Sequence, residues 1–128
     1  MTRLTRRQVV LLHEQMLAAT GGLPGIRDEN LLDSALAAPY ATFDEVELFP
    51  SVQTKAARLA YGLVANHPFN DGNKRTGLQA MLVLLHVNGV RLEAADDDLV
   101  AFGLGMADGS LDVGDIEAWI TTHQGSEQ

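Results

Sequence analysis

The sequence predicts an all-α single domain, a bundle of about six helices spanning residues 1–128 around a buried central helix. Three features point there. Apolar residues recur at three- and four-residue spacing along most of the chain. Capping residues and glycines punctuate those segments at helix-like intervals. One segment, Leu78 to Val87, carries only Gln79 and His86 as polar residues, as expected of a helix enclosed by others.

Composition sets the outer limits. A chain of 128 residues is the size of one domain and buries about two thirds of what its unfolded form exposes. With 46% hydrophobic and 20% charged residues it is an ordinary globular chain. A net charge of -8 opposes direct binding to a nucleic-acid backbone, which relies on basic surface. The absence of cysteine excludes a disulfide framework and a thiolate nucleophile, and fits a reducing compartment. No apolar run approaches the ~20 residues of a membrane span. Behind Arg3, Arg6 and Arg7, the run Val9 to Leu12 is too short for a signal-peptide core. The expected location is the cytoplasm.

Thr5 and Gln8 have capping-box spacing, so a first helix starts there, with Val9, Leu12, Met16 and Leu17 facing inward and Gly21-Gly22 ending it. Gly22 to Asp28 is turn-rich, and Asp28 caps a second helix through Leu31, Leu32, Ala35 and Leu36, closed by Pro39. From Tyr40 to Pro50 the periodicity fails. Two readings stay open there: a short extended flap, or an irregular loop tucking Phe43 and Phe49 into the core. Ser51 caps a third helix facing inward through Val52, Ala56, Leu59, Leu63 and Val64. Pro68 disfavours the α region at His67 and stops that helix. Asn70-Asp71-Gly72 is turn chemistry, and the central helix begins near Asn73 and ends at Asn88-Gly89. Asp96-Asp97-Asp98 opens a fifth helix through Leu99, Phe102, Leu104 and Met106, weakened by Gly103 and Gly105. Asp112 caps a sixth, with Ile116, Trp119 and Ile120 facing in, and a frayed polar tail is expected over 124–128.

The chemistry concentrates between His67 and Arg75, where a histidine, a carboxylate, an amide and two cations share nine residues. Lys74 and Arg75 occupy the first turn of the central helix, where the macrodipole disfavours each cation by ~0.3–1 kcal/mol. An anion held by the N–H groups of Gly72, Asn73 and Lys74 would remove that conflict, and phosphate is the natural choice. Asp71 would repel bare phosphate but suits Mg²⁺, which prefers one or two carboxylates plus phosphate oxygens. A histidine side chain can take up a proton at physiological pH, so His67 suits a general base that deprotonates an attacking hydroxyl. Each residue also has a plainer role, Asp71 as a cap, Lys74 and Arg75 as a solvated pair, His67 as a structural histidine. Their joint spacing favours a site. His13, His86 and His123 lack such neighbours in sequence and read as structural or surface residues. No Walker A loop, zinc-protease helix or EF-hand loop survives inspection.

His67-Pro68-Phe69-Asn70-Asp71-Gly72-Asn73-Lys74-Arg75-Thr76 resembles the signature of the Fic/Doc superfamily, His-x-Phe-x-Asp/Glu-Gly-Asn-Gly-Arg. The chain as a whole resembles the Doc (death-on-curing) toxin type, and that resemblance implies an all-helical fold and phosphate-group transfer from ATP·Mg²⁺. It implies His67 as base, Asp71 as Mg²⁺ ligand, and Asn73 and Arg75 as phosphate ligands. Lys74 replaces the glycine of AMP-transferring Fic enzymes. Doc toxins share this lysine, so the resemblance implies γ-phosphate transfer, that is, a protein kinase acting on a Ser or Thr of a translation factor, elongation factor Tu. Leu78 stands where many Fic enzymes carry a second arginine, and no self-inhibitory Ser/Thr-x-x-x-Glu pair fits, which implies inhibition by a separate Phd-type antitoxin. AMP transfer on the same scaffold and a non-catalytic helical binding module are the alternatives.

Overall fold

The computed structural model describes residues 1–125, with Ala107 described by its backbone alone. Among these residues the chain forms six α-helices, one 3₁₀ turn and one small hairpin. Helix α1 covers Arg6–Thr20, with Thr5 and Gln8 closing the capping box. Asp28 accepts from the Leu31 N–H at the start of α2, Glu29–Ala37, and Pro39 lies within the 3₁₀ turn Ala38–Tyr40 that follows.

Residues 42–47 form the flap rather than a tucked loop. Strands β1 (Thr42–Phe43) and β2 (Val46–Glu47) pair antiparallel with Phe43 opposite Val46. The two turn residues, Asp44 and Glu45, have φ of 50° and 66°. Two successive positive φ values suit the tight hairpin turn whose twist matches that of its strands. Phe43 is 72% exposed, because two-residue strands have no second layer to bury it. The hairpin is tied down from beneath by Lys55, whose ammonium donates to the Glu47 carboxylate at 2.9 Å and to the Phe49 carbonyl while its stem is buried.

Helix α3 (Val52–Ala65) is capped by Ser51, and α4 (Asn73–Val87) starts from the left-handed Gly72. These two helices pack together as the centre of the domain, with α1, α2 and α6 (Val113–His123) around them and α5 (Asp96–Ala107) against α4 and α3. Gly77 permits their close approach: a Cβ there would lie 2.9 Å from Val64 Cγ2 and 3.2 Å from the Ala60 carbonyl. The core runs from Val9 and Leu32 through Leu59, Leu63, Met81 and Leu84 to Phe102 and Ile120. Phe102 and Met106 supply the buried side chains of α5, whereas Leu104 is 59% exposed.

The expected fraying does not begin at Gln124. Gln124 pairs with Leu92 in an isolated bridge, and the Gly125 N–H donates to the Arg91 carbonyl at 2.8 Å. The rest of that predicted tail, 126–128, lies outside the described residues. No described helix is long and apolar enough to cross a membrane.

Candidate functional site

Helix α3 ends at Ala65, with Asn66 as its C-cap, and α4 begins after Gly72, so the segment between them is a tight loop that must be held by its surroundings. Its apolar anchor is Phe69, which is 1% exposed. The turn-rich segment before α2 runs alongside it. Ile26 and Phe69 form an antiparallel bridge, the Arg27 and Asp28 N–H groups both donate to the Pro68 carbonyl, and the Asn70 N–H donates to the Gly25 carbonyl at 3.1 Å. The Arg27 guanidinium clasps the loop's entrance, donating to the carbonyls of His67 at 2.6 Å and Asn66 at 2.9 Å.

His67 itself has φ 47°, which is unusual for a side chain with a Cβ and is upheld here by the Arg27 clasp and the buried Pro68 that follows. The proline therefore ends α3 as expected, but His67 takes a left-handed rather than an extended conformation.

The loop and the first turn of α4 line an open cleft of about 640 Å³, into which fall His67, Asp71, Gly72, Asn73, Lys74 and Arg75, with Gly21 and Gly22 on the opposite wall. All the residues singled out in the sequence thus meet in one place. His67 also forms part of a second, smaller and mainly apolar pocket of about 150 Å³ with Tyr61, Met106, Leu111 and Ile116. Lys74 and Arg75 are exposed and form no ion pair among the described residues. The N–H groups of Asn73, Lys74 and Arg75 lack acceptors among the described residues, since the ladder of α4 begins with Thr76 donating to Gly72. Two adjacent cations and three unpaired N–H groups produce a strongly anion-seeking surface on a chain of net charge -8.

Two residues are placed differently from their expected use. The Asn73 side chain does not face the cleft. It is 8% exposed, and both its polar atoms are committed to Phe69: Oδ1 accepts from the Phe69 N–H at 2.9 Å and Nδ2 donates to the Phe69 carbonyl at 3.0 Å. Only its backbone N–H is available to an anion. The Gly72 N–H, counted among the free donors, is occupied by Asp71 Oδ1 at 3.0 Å. The second carboxylate oxygen of Asp71 accepts from the Leu23 N–H at 3.2 Å, so two backbone donors aim the carboxylate. Gly22 makes room for it: a Cβ there would fall 2.8 Å from Asp71 Oδ2, and its φ of 125° disfavours any side chain. No cluster of three or more metal-ligating side chains exists among the described residues. Asp71 alone fits a hard divalent cation that takes its remaining ligands from phosphate and water.

Sequence reasoning overlooked two supports of this loop, Arg27 and His13. His13 is 2% exposed and stacks on Phe69 with ring centroids 3.8 Å apart, while its Nε2 donates to the Asp71 carbonyl at 2.8 Å. One signal was available: His13 lies four residues from both Val9 and Leu17, on the apolar face of α1. His86 is exposed, whereas His123 stacks on Trp119.

The sequence matches the Fic/DOC family over residues 3–85, from the α1 cap into the last turn of α4. It is 48% identical over 81 residues to Toxin Doc of Mycolicibacterium smegmatis, an alignment covering 63% of this chain and 62% of that protein. The aligned stretch therefore spans less than two thirds of that relative's length. It is 28% identical over 131 residues to Protein kinase doc of Escherichia phage P1, across the full length of both chains.

Proposed function

This chain belongs to the Fic/DOC family, and from that premise we propose that it is a Doc-type toxin, a protein kinase that moves the γ-phosphate of ATP to a Ser or Thr hydroxyl of a translation factor, elongation factor Tu being the first candidate. One observation carries the reading: an imidazole, a carboxylate and, unpaired among the described residues, two cations and three N–H groups line a single cleft at the start of α4. The similarity to Protein kinase doc supports phosphate transfer over other chemistry on this scaffold.

In this reading the triphosphate lies across the first turn of α4, its oxygens accepting from the N–H groups of Asn73, Lys74 and Arg75 and pairing with the Lys74 and Arg75 side chains. These contacts neutralise charge on the transferring group, which is most of what phosphoryl transfer requires of a protein. Asp71 would hold Mg²⁺, which when bound supplies further neutralisation of the phosphates. The imidazole of His67 accepts the proton of the attacking hydroxyl as that oxygen bonds to the γ-phosphorus and the bond to the β–γ bridging oxygen breaks, releasing ADP. Holding His67 by its own carbonyl, through Arg27, leaves the ring free to project over the cleft rim. Lys74 stands where AMP-transferring Fic enzymes have glycine, and a long cation in that position crowds a cradle shaped for their phosphates, which favours γ-transfer over AMP transfer. No Ser/Thr-x-x-x-Glu pair of the self-inhibiting kind fits the sequence, so in this reading the activity is restrained by a separate protein, a Phd-type antitoxin.

The test is incubation with bacterial elongation factor Tu and ATP labelled at either the γ or the α position. Label from γ, lost in His67→Ala, is the expected result. Label from α would replace the kinase reading with AMP transfer, and growth arrest persisting in His67→Ala would replace it with a binding module.

A further inference from the structure

His13 makes no appearance in the chemistry above, yet it touches both sides of the loop that performs it. Its ring is buried beneath the loop and held flat against Phe69, 3.8 Å between centroids and 8° from parallel. A carbonyl oxygen only accepts, so the 2.8 Å contact with Asp71 places the proton on Nε2. The C=O and N–H of a trans peptide point in opposite directions, and no cis bond occurs among the described residues. Drawing the Asp71 carbonyl inward onto His13 therefore turns the Gly72 N–H outward. The N–H is in fact found on the cleft side, donating to Asp71 Oδ1 at 3.0 Å. Gly72 adopts φ 77° and ψ 17° directly above the ring, so that a Cβ on it would lie 3.7 Å from His13 Nε2.

We propose that His13 is a positioning residue that sets the orientation of the Asp71–Gly72 peptide and so aims a fourth backbone N–H at the anion seat of the cleft. Bound phosphate then exchanges places with Asp71 Oδ1 as the acceptor of that N–H, which frees the carboxylate oxygen at the moment a cation-bearing nucleotide arrives. The assignment rests on the reading of the cleft as a phosphate seat and adds a residue of α1 to it.

Two substitutions divide the ring's two contacts. His13→Phe keeps the stack on Phe69 and removes the donor; His13→Gln removes the stack and keeps an N–H near the position of Nε2. The probe is inorganic tripolyphosphate without magnesium, followed by calorimetry and by the amide resonances of the ¹⁵N-labelled protein. In the wild type the Gly72 amide should be among those shifted most. His13→Phe should bind about tenfold more weakly, the effect of misdirecting one charge-assisted donor, while melting modestly lower because the Asp71 carbonyl loses its partner. His13→Gln should melt lower yet bind within about threefold of the wild type, since the carbonyl keeps its donor. Unaltered binding by His13→Phe would overturn the assignment, as would equal weakening in a folded His13→Gln, which would mark His13 as ordinary packing. A Gly72 amide that stays still while its neighbours move would overturn it without any variant. Failure of the wild type to bind tripolyphosphate at all would sink the phosphate seat and this assignment with it.

Discussion

Removing the Asn73 amide separates two roles that its place in the motif leaves entangled. In Asn73→Ala the N–H and C=O of Phe69 lose their partners together, at a residue 1% exposed. An unsatisfied buried backbone group costs about 1–3 kcal/mol, and the loop can relax enough to admit some water, so the lower half of that range applies to each. The sum is about 3 kcal/mol, with a small offset from side-chain entropy regained. For a domain of this size that corresponds to a fall in Tm of about 10 °C. Urea unfolding followed by circular dichroism should give the same loss through a lower midpoint at unchanged slope. Asn73→Asp should lose as much, because a carboxylate still accepts from the Phe69 N–H but confronts the Phe69 carbonyl without a donor. A stability loss below about 1 kcal/mol, accompanied by weakened ATP binding, would refute this account and return the Asn73 side chain to the ligand.

His67→Gly should abolish phosphate transfer yet raise stability by up to about 1 kcal/mol, because glycine accepts φ 47° without the Cβ conflict, in part offset by its freer unfolded chain; urea unfolding beside label incorporation tests both halves. In Lys55→Met, an apolar stem replaces a buried cation whose partner Glu47 is half exposed, so stability should change by less than about 1 kcal/mol. The hairpin, however, loses its tether, and hydrogen exchange of the Thr42–Glu47 amides should accelerate; unchanged exchange would show that Lys55 does not restrain it. The Tyr40 phenol is raised above its ordinary 10.0, by burial first and against an opposing Arg3. The folded state thus favours the protonated phenol, a contribution fully present below pH 10 and lost as pH rises through the folded value. Tm should therefore fall above that pH less steeply in Tyr40→Phe than in the wild type, and equal slopes would discount the residue.

Helix starts were the most legible part of the fold. Thr5, Asp28, Ser51 and Asp112 each accept the backbone N–H that their position predicted, because a cap is a contact three residues long and needs nothing from the rest of the chain. The cluster at the start of α4 was legible for the same reason: nine consecutive residues must end up near one another whatever surrounds them. The flap is not legible in the sequence because its turn residues, Asp44 and Glu45, lack the Asn-Gly or Asp-Gly signal of such hairpins, Glu45 reaching φ 66° without a glycine's freedom. The buried face of α5 is not legible in the sequence, since one helical repeat fits two neighbouring faces when glycines flank Leu104, and the structure buries Phe102 and Met106 instead.

What the amino-acid order determined alone, then, was the set of helices, their limits and the gathering of His67, Asp71, Lys74 and Arg75 at one helix start, all consequences of contacts within a few residues. What tertiary structure decided was the direction in which each group points. The Asn73 amide turns inward to Phe69, the Asp71 carboxylate is aimed by Leu23 and Gly72, and His13 and Arg27 reach the loop from 58 and 40 residues away. Those orientations depend on which donor meets which acceptor across the packed core, and that pairing exists only once α1, the segment before α2 and the α3–α4 loop have come together.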